Sequence, residues 1–216
     1  MKRLIRLVAF DLDGTLTRER SCLQAVCGAF GLTVEQAVLE NAHSDDELAR
    51  GRRLLWRRLK DRRPAEIADA LARIPLAPGA ATGIAALSAA GIRTVIVSLA
   101  LAPNVAYFAR RLGIDAYIAT EPDDSDGFRH VFPATKPLLL AEHARGLGLD
   151  MADLAAVGDS SADLPMLCAA GTSLYVGRRL PDGFTPTWHL PDARIDDVAQ
   201  AIINPPEDSR RESVEG

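Results

Sequence analysis

The apolar run Leu7-Val8-Ala9-Phe10 ends in Asp11-Leu12-Asp13-Gly14-Thr15, and a second, Leu154-Ala155-Ala156-Val157, ends in Gly158-Asp159-Ser160-Ser161-Ala162-Asp163. Each reads as a strand that opens at its carboxyl end into a glycine turn carrying acids. Side chains of an extended strand repeat every second residue, so the Asp11 and Asp13 carboxylates point to one side. Held that close they repel, and either one keeps a proton or a cation sits between them. Both outcomes are useful chemistry, because an ionised aspartate beside a metal is a nucleophile and a protonated neighbour is an acid. In the second run Asp163 follows Asp159 by one helical turn. Two other readings of the first run exist. Asp13-Gly14 between apolar runs is also a hairpin signal. An EF-hand loop needs glycine sixth and glutamate twelfth, whereas here Gly14 is fourth and Cys22 twelfth, so that reading fails.

Strand and helix signals alternate along the chain and are interrupted once. Ser21 to Phe30, Thr33 to Gln36 and Ser44 to Glu47 each carry capping-box spacing, and Pro64 to Leu71 also reads as helix. No strand is predicted between Leu16 and Pro78. Alternation then resumes with a helix from Ala80 to Gly91, a strand Ile92 to Val97, a helix from Pro103 to Gly113 and a strand Asp115 to Ala119. Asp123 to Phe132, with an Asp126-Gly127 turn, predicts a small hairpin. A helix from Pro137, the strand Leu154 to Val157, a helix from Asp163 to Gly171 and the strand Ser173 to Val176 complete the series. Such alternation predicts an α/β fold, a parallel sheet covered by helices on both faces, with its ligand site at the carboxyl ends of the strands. The tail 205–216 has little apolar surface to bury and is expected to be disordered.

Asp11-Leu-Asp13-Gly-Thr15, Ser98 closing Thr94-Val95-Ile96-Val97, Lys136 before a helix, and Gly158-Asp159-Ser-Ser-Ala-Asp163 follow one another over residues 7 to about 167. In kind and order they resemble the motifs of the haloacid dehalogenase superfamily of aspartate-nucleophile phosphohydrolases, nearest to its phosphoserine phosphatase branch. The resemblance implies a Rossmann-like parallel-sheet core over residues 1–17 and 78–204, with an inserted all-helical cap over 18–77 that covers the site and reads the leaving group. It also implies roles. Asp11 is the nucleophile, and Asp13 the acid that protonates the leaving group and then, as base, activates water. Magnesium is held by Asp11, the Asp13 carbonyl and Asp159. Asp163 ligates through water or orients Lys136, while Lys136 and Ser98 contact the phosphate. Asp13 argues against the dehalogenating branch, which needs no such acid.

Two departures from that branch bear on substrate. Leu99-Ala100 follows Ser98 where the branch has two glycines, and Arg20 stands seven residues beyond Asp13, with Glu19 before it, where the branch has a glutamate for the substrate's ammonium. Arginine cannot receive an ammonium and favours a carboxylate or phosphate. Glu19 and Arg20 are therefore candidate substrate contacts, for a substrate more anionic than phosphoserine. Arg50, Arg52, Arg53, Arg57, Arg58, Lys60, Arg62 and Arg63 in the cap form either a solvated helix face or a supply of one or two further anion contacts. Leu55 and Trp56 are expected to pack the cap. The net charge of −4 gives no general attraction to nucleic acid or anionic membrane. The N-terminal apolar run is too short for a signal peptide or span. Three scattered cysteines suit a reducing cytosol. The expectation is a cytoplasmic, magnesium-dependent phosphomonoesterase of a small phosphorylated metabolite. The alternatives are phosphoryl transfer to a second acceptor, as in mutases, and a regulatory protein that binds a phosphorylated ligand without turnover.

Overall fold

Every residue of Leu7–Phe10 is fully buried, which an extended strand achieves only when both faces of its sheet are covered. This is what the structure, a computed structural model describing residues 4–123 and 127–205, shows. β1 (Leu7–Phe10), β2 (Arg93–Leu101), β3 (Ala116–Thr120), β4 (Leu154–Gly158), β5 (Thr172–Tyr175) and β6 (Trp188–His189) form one sheet in the order β3-β2-β1-β4-β5-β6, all pairs parallel. Alternation within β1 sorts the two layers. Val8 and Phe10 join the apolar cluster containing Ile84 of α5 (Ala80–Ala89), Phe108 of α6 (Ala102–Leu112) and Val198 of α9 (Ile195–Ile203). Leu7 and Ala9 join the other, with Leu140 of α7 (Lys136–Gly146) and Met166 of α8 (Leu164–Ala169). The chain runs from β1 outward through β2 and β3, then returns to the other side of β1 as β4. Strand order thus reverses between β1 and β4, and a crevice opens at their carboxyl ends.

Between β1 and α5 the chain leaves the sheet and forms α1 (Cys22–Phe30), α2 (Thr33–Glu40), α3 (Asp45–Leu59) and α4 (Pro64–Ala72). Departure and return run side by side. Thr17 bridges Leu76 in antiparallel fashion, the Ala77 N–H donates to the Leu16 carbonyl (2.8 Å) and the Arg18 N–H to that of Pro75 (2.9 Å). Ser21 with Gln24 and Ser44 with Glu47 close the expected capping boxes. Thr33 does not cap, because it is already the first helical residue and Leu32 occupies the cap position.

Other expectations are corrected. β2 continues to Leu101, with an irregular register between Val97 and Leu101, so Ser98 lies within the strand. Lys136 was expected outside the helix because proline disfavours helical backbone in the preceding residue. It is instead the first residue of α7, with φ −48° and ψ −51°, entered through a short turn at Pro133–Thr135. β6 and α9 were not anticipated. α9 was legible in Ile195, Val198, Ala199 and Ile202, a helical stripe that the structure buries. Glu121 and Arg129 pair in antiparallel fashion at the base of the expected hairpin, whose Asp126 lies outside the described residues, as does the tail beyond Pro205. No helix among the described residues is long and apolar enough to cross a membrane.

Candidate active site

Phe10 pairs with Ile96 of β2 and Val157 of β4, so Asp11, Ser98 and Asp159 emerge side by side, one or two residues past that register. The Asp11 N–H donates to the Val157 carbonyl (2.9 Å), the last tie before β1 turns away. Gly14 makes the turn at φ +94°, and a Cβ there would lie 2.3 Å from Asp159 Oδ2. Glycine is therefore needed twice over, for the left-handed backbone and for the closeness of Asp159. The Thr15 hydroxyl donates to Asp159 Oδ1 (2.9 Å).

Lys136 is fully buried, and its Nζ donates to Asp11 Oδ1 (2.8 Å) and Asp163 Oδ1 (2.6 Å). The second Asp163 oxygen accepts the Asp159 N–H, the Ser160 N–H and the Ser160 hydroxyl at 2.9–3.2 Å. Asp163 is thus a fully buried brace for the lysine, not the solvated surface acid that a lone helical aspartate suggests. Asp13 sits half-buried in the turn, its Oδ1 accepting the N–H of Cys22, first residue of α1 (2.8 Å). Ser98 is buried, its Oγ accepting the Ala100 N–H (3.2 Å).

The charges do not balance. Burial, and next the charge of Asp163, push the Asp11 carboxyl well above its ordinary range, and Lys136 offsets this only in part. Burial likewise raises Asp13 and Asp159. For Lys136, burial alone would lower the ammonium, but the charges of Asp11 and Asp163 more than reverse it, so it stays protonated. Carboxylate oxygens of Asp11, Asp159 and Asp163 lie within 4.8 Å of one another. With Asp163 committed to Lys136, the acids free to receive a cation are Asp11 and Asp159. An all-oxygen set with surplus negative charge fits a hard divalent ion such as magnesium.

A cavity of about 260 Å³ opens over Asp11 and Asp163, with Asp159 outside its lining. Asp11, Asp13, Ser98, Lys136, Ser160 and Asp163 line it from the core, and Leu23, Leu39, Leu48, Arg52 and Leu55 line it from the cap. Glu19 and Arg20, the expected substrate contacts, are exposed and do not line it. Glu19 takes a left-handed turn (φ 69°) just where the chain enters the cap. From the basic run it is Arg52 that enters. It is 5% exposed, its Nη2 donates to the Leu99 carbonyl (2.9 Å), its guanidinium stands 5.4 Å over the Phe132 ring, and its Nη1 has no partner. Burial lowers its pKa to about 10. Leu55 is buried and Trp56 packs against the core, as expected. Arg18 was not singled out from sequence. Its Nη1 donates to the carbonyls of Gly14, Thr15 and Thr17 and its Nη2 to that of Ala193, so one guanidinium ties the acid-bearing turn to the loop before α9.

Comparison with known proteins gives consistent results. The family model for haloacid dehalogenase-like hydrolases matches residues 8–168. The chain is 30% identical over 183 residues to a phosphoserine phosphatase of Halobacterium salinarum, covering 79% of this chain and 85% of that one. A phosphoserine phosphatase of Albidiferax ferrireducens is 30% identical over 192 residues, covering 78% and 77%. Among solved structures, a phosphoserine phosphatase in its apo form superposes with a TM-score of 0.64 at 24% identity, covering 79% of this chain and 85% of the other, a likeness of fold.

Proposed function

The chain belongs to the haloacid dehalogenase-like hydrolases and is a phosphatase of that family, and we propose that it hydrolyses a small, anionic phosphomonoester with magnesium through an aspartyl-phosphate on Asp11. The observation that carries this reading is the placing of Asp11, paired with a buried Lys136, in one cavity with Asp13. The core is read as residues 1–17 and 78–204 and the cap as 18–77. The free cysteines Cys22, Cys27 and Cys168 are consistent with a cytoplasmic setting.

In the first step a carboxylate oxygen of Asp11 attacks phosphorus, the ester P–O bond breaks, and the leaving oxygen takes a proton from Asp13. Burial favours the protonated form of Asp13, which suits an acid, and its bond to the N–H of Cys22 holds it where the cap begins. In the second step the Asp13 carboxylate takes a proton from water while the water oxygen attacks phosphorus. The bond between phosphorus and Asp11 breaks, releasing inorganic phosphate and restoring both acids. Lys136, and donors such as Ser98, offset charge on the phosphoryl oxygens. Asp11, Asp159 and the Asp13 carbonyl would hold magnesium, which supplies charge neutralisation at the phosphoryl group. Asp163 holds Lys136 with one oxygen and the turn carrying Asp159 with the other. Arg52, which lines the cavity from the cap with an unpartnered Nη1, takes the anion-binding role expected of Arg20.

The test is phosphate release from a panel of phosphomonoesters, with magnesium and with chelator. Release that needs magnesium and is lost in Asp11→Asn is expected. Release that survives either change refutes the mechanism.

A further inference from the structure

Resting on the phosphatase reading above, we propose that the leaving-group end of the cavity takes a phosphomonoester whose alcohol part has an apolar body, one further anionic group and no ammonium. A zwitterionic amino acid ester is then a poor substrate.

Away from Asp11 and Lys136 the cavity wall is made by Leu23, Leu39, Leu48 and Leu55 of the cap and Leu99 and Leu101 of β2. Its polar side chains at that end are Arg52, Ser21 and Asn104. Among the described residues the only carboxylates that line the cavity are Asp11, Asp13 and Asp163. All three belong to the phosphoryl end. An ammonium carried into this space would lose its water, find leucines and meet the like charge of Arg52. Burying a charge without a partner is among the costlier events in a protein interior.

Arg52 makes the opposite demand. Its guanidinium is fixed on one side by the Leu99 carbonyl and on one face by Phe132, leaving Nη1 buried without an acceptor. Asp45, two turns earlier on α3, acts on it through space. A buried donor of this kind is costly until a ligand supplies the acceptor. A carboxylate and a second phosphate share the chemistry it calls for. Between that anion and the phosphoryl group the leucines favour methylene or ring carbon, each buried methylene adding roughly fourfold to affinity.

The experiment is kcat/KM with magnesium for five esters: O-phospho-L-serine, 3-phosphonooxypropanoate (the same molecule without its ammonium), 5-phosphonooxypentanoate, 1,3-propanediol bisphosphate and propyl phosphate. The deaminated ester is expected to exceed phosphoserine by roughly 100-fold, the scale on which a pocket rejects a group it cannot pair. The longer carboxylate or the bisphosphate should do better still, and which of them leads identifies the anion. In Arg52→Met, the ratio of carboxylate ester to propyl phosphate should fall by at least about tenfold, and Arg52→Lys should recover part of it. That ratio, taken within one variant, does not depend on how much of the protein folds. Wild type preferring phosphoserine to 3-phosphonooxypropanoate overturns the proposal while leaving the phosphatase reading intact, as does an unchanged ratio in Arg52→Met. Release of phosphate from none of the five by folded protein overturns the phosphatase reading itself, and the proposal with it.

Discussion

Replacing Lys136 with methionine removes an ammonium and little volume, so it isolates the charge balance of the site. The Lys136 and Asp163 side chains are each 1% exposed and that of Asp11 is 11% exposed, with both ion pairs at hydrogen-bond distance. Removing one partner of a buried pair costs about 3–5 kcal/mol, because the other charge is left uncompensated. For a chain of this length each kcal/mol moves Tm by about 2–4 °C, so Lys136→Met should melt roughly 6–20 °C lower in chelator. The loss should depend on pH with a definite sign. Asp11 is already raised by burial and by Asp163, and the variant removes its main downward influence. An acid whose folded pKa lies above its unfolded value binds more protons when folded. Its contribution is therefore lost as pH rises from the unfolded value through the folded one, and regained as pH falls back. The deficit should be larger at pH 7.5 than at pH 5. Adding Asp163→Asn should recover at least about 1 kcal/mol at pH 7.5, an interaction read from a double-mutant cycle of urea or thermal unfolding. A deficit under about 1 kcal/mol, or one independent of pH, would refute the claim that Lys136 balances two buried carboxylates.

Asp11→Asn should reduce phosphate release to background while its melting temperature stays at or above that of wild type, since a carboxylate whose charge is disfavoured by burial and by Asp163 has been removed; beryllium fluoride should stabilise wild type and not this variant. Asp13→Asn should cut kcat by roughly 100-fold or more with magnesium affinity kept, and Asp159→Asn should chiefly weaken magnesium, both by calorimetric titration; equal damage to the metal in the two variants would contradict this division. Gly14→Ala places a Cβ 2.3 Å from Asp159 Oδ2 on left-handed backbone, so a stability cost of about 1–2 kcal/mol and weaker magnesium binding are expected. An unaltered magnesium isotherm would mean that Asp159 is not held for the ion by this contact.

What could be read from the sequence is what depends on short-range pattern. The two apolar strands with acids at their ends gave the sheet and the placing of Asp11 and Asp159, because a strand's end and its register in a parallel sheet follow from the same few residues. The lysine was legible as a candidate, but not its surroundings. Lys136 and Asp163 are 27 positions apart, and that both are fully buried follows from the docking of α7 against α8 and β2. Proline at 137 was read correctly as helix-starting and incorrectly as excluding Lys136 from the helix. The backbone preference it imposes is modest beside two ion pairs that fix the lysine in place.

The arginines show where local pattern stops. Arg20 and Arg52 are both cationic residues of the cap, and a count from Asp13 favours Arg20. Which of them enters the cavity is decided by the left-handed turn at Glu19 and by the face that α3 presents to β2, both properties of the assembled fold. Arg52 and the acid cluster also share a physical signature that no single residue type carries: buried charge left without its full set of partners. A fold stabilised only for its own sake would replace such groups with apolar ones of the same size. Here an arginine with a buried, unpartnered guanidinium nitrogen lines the same cavity as Asp11, Asp13 and Asp163. A phosphomonoester with a second anion, bound together with a divalent cation, would satisfy both at once. Residues that make a poor core are, on this account, placed to be completed by what the protein binds.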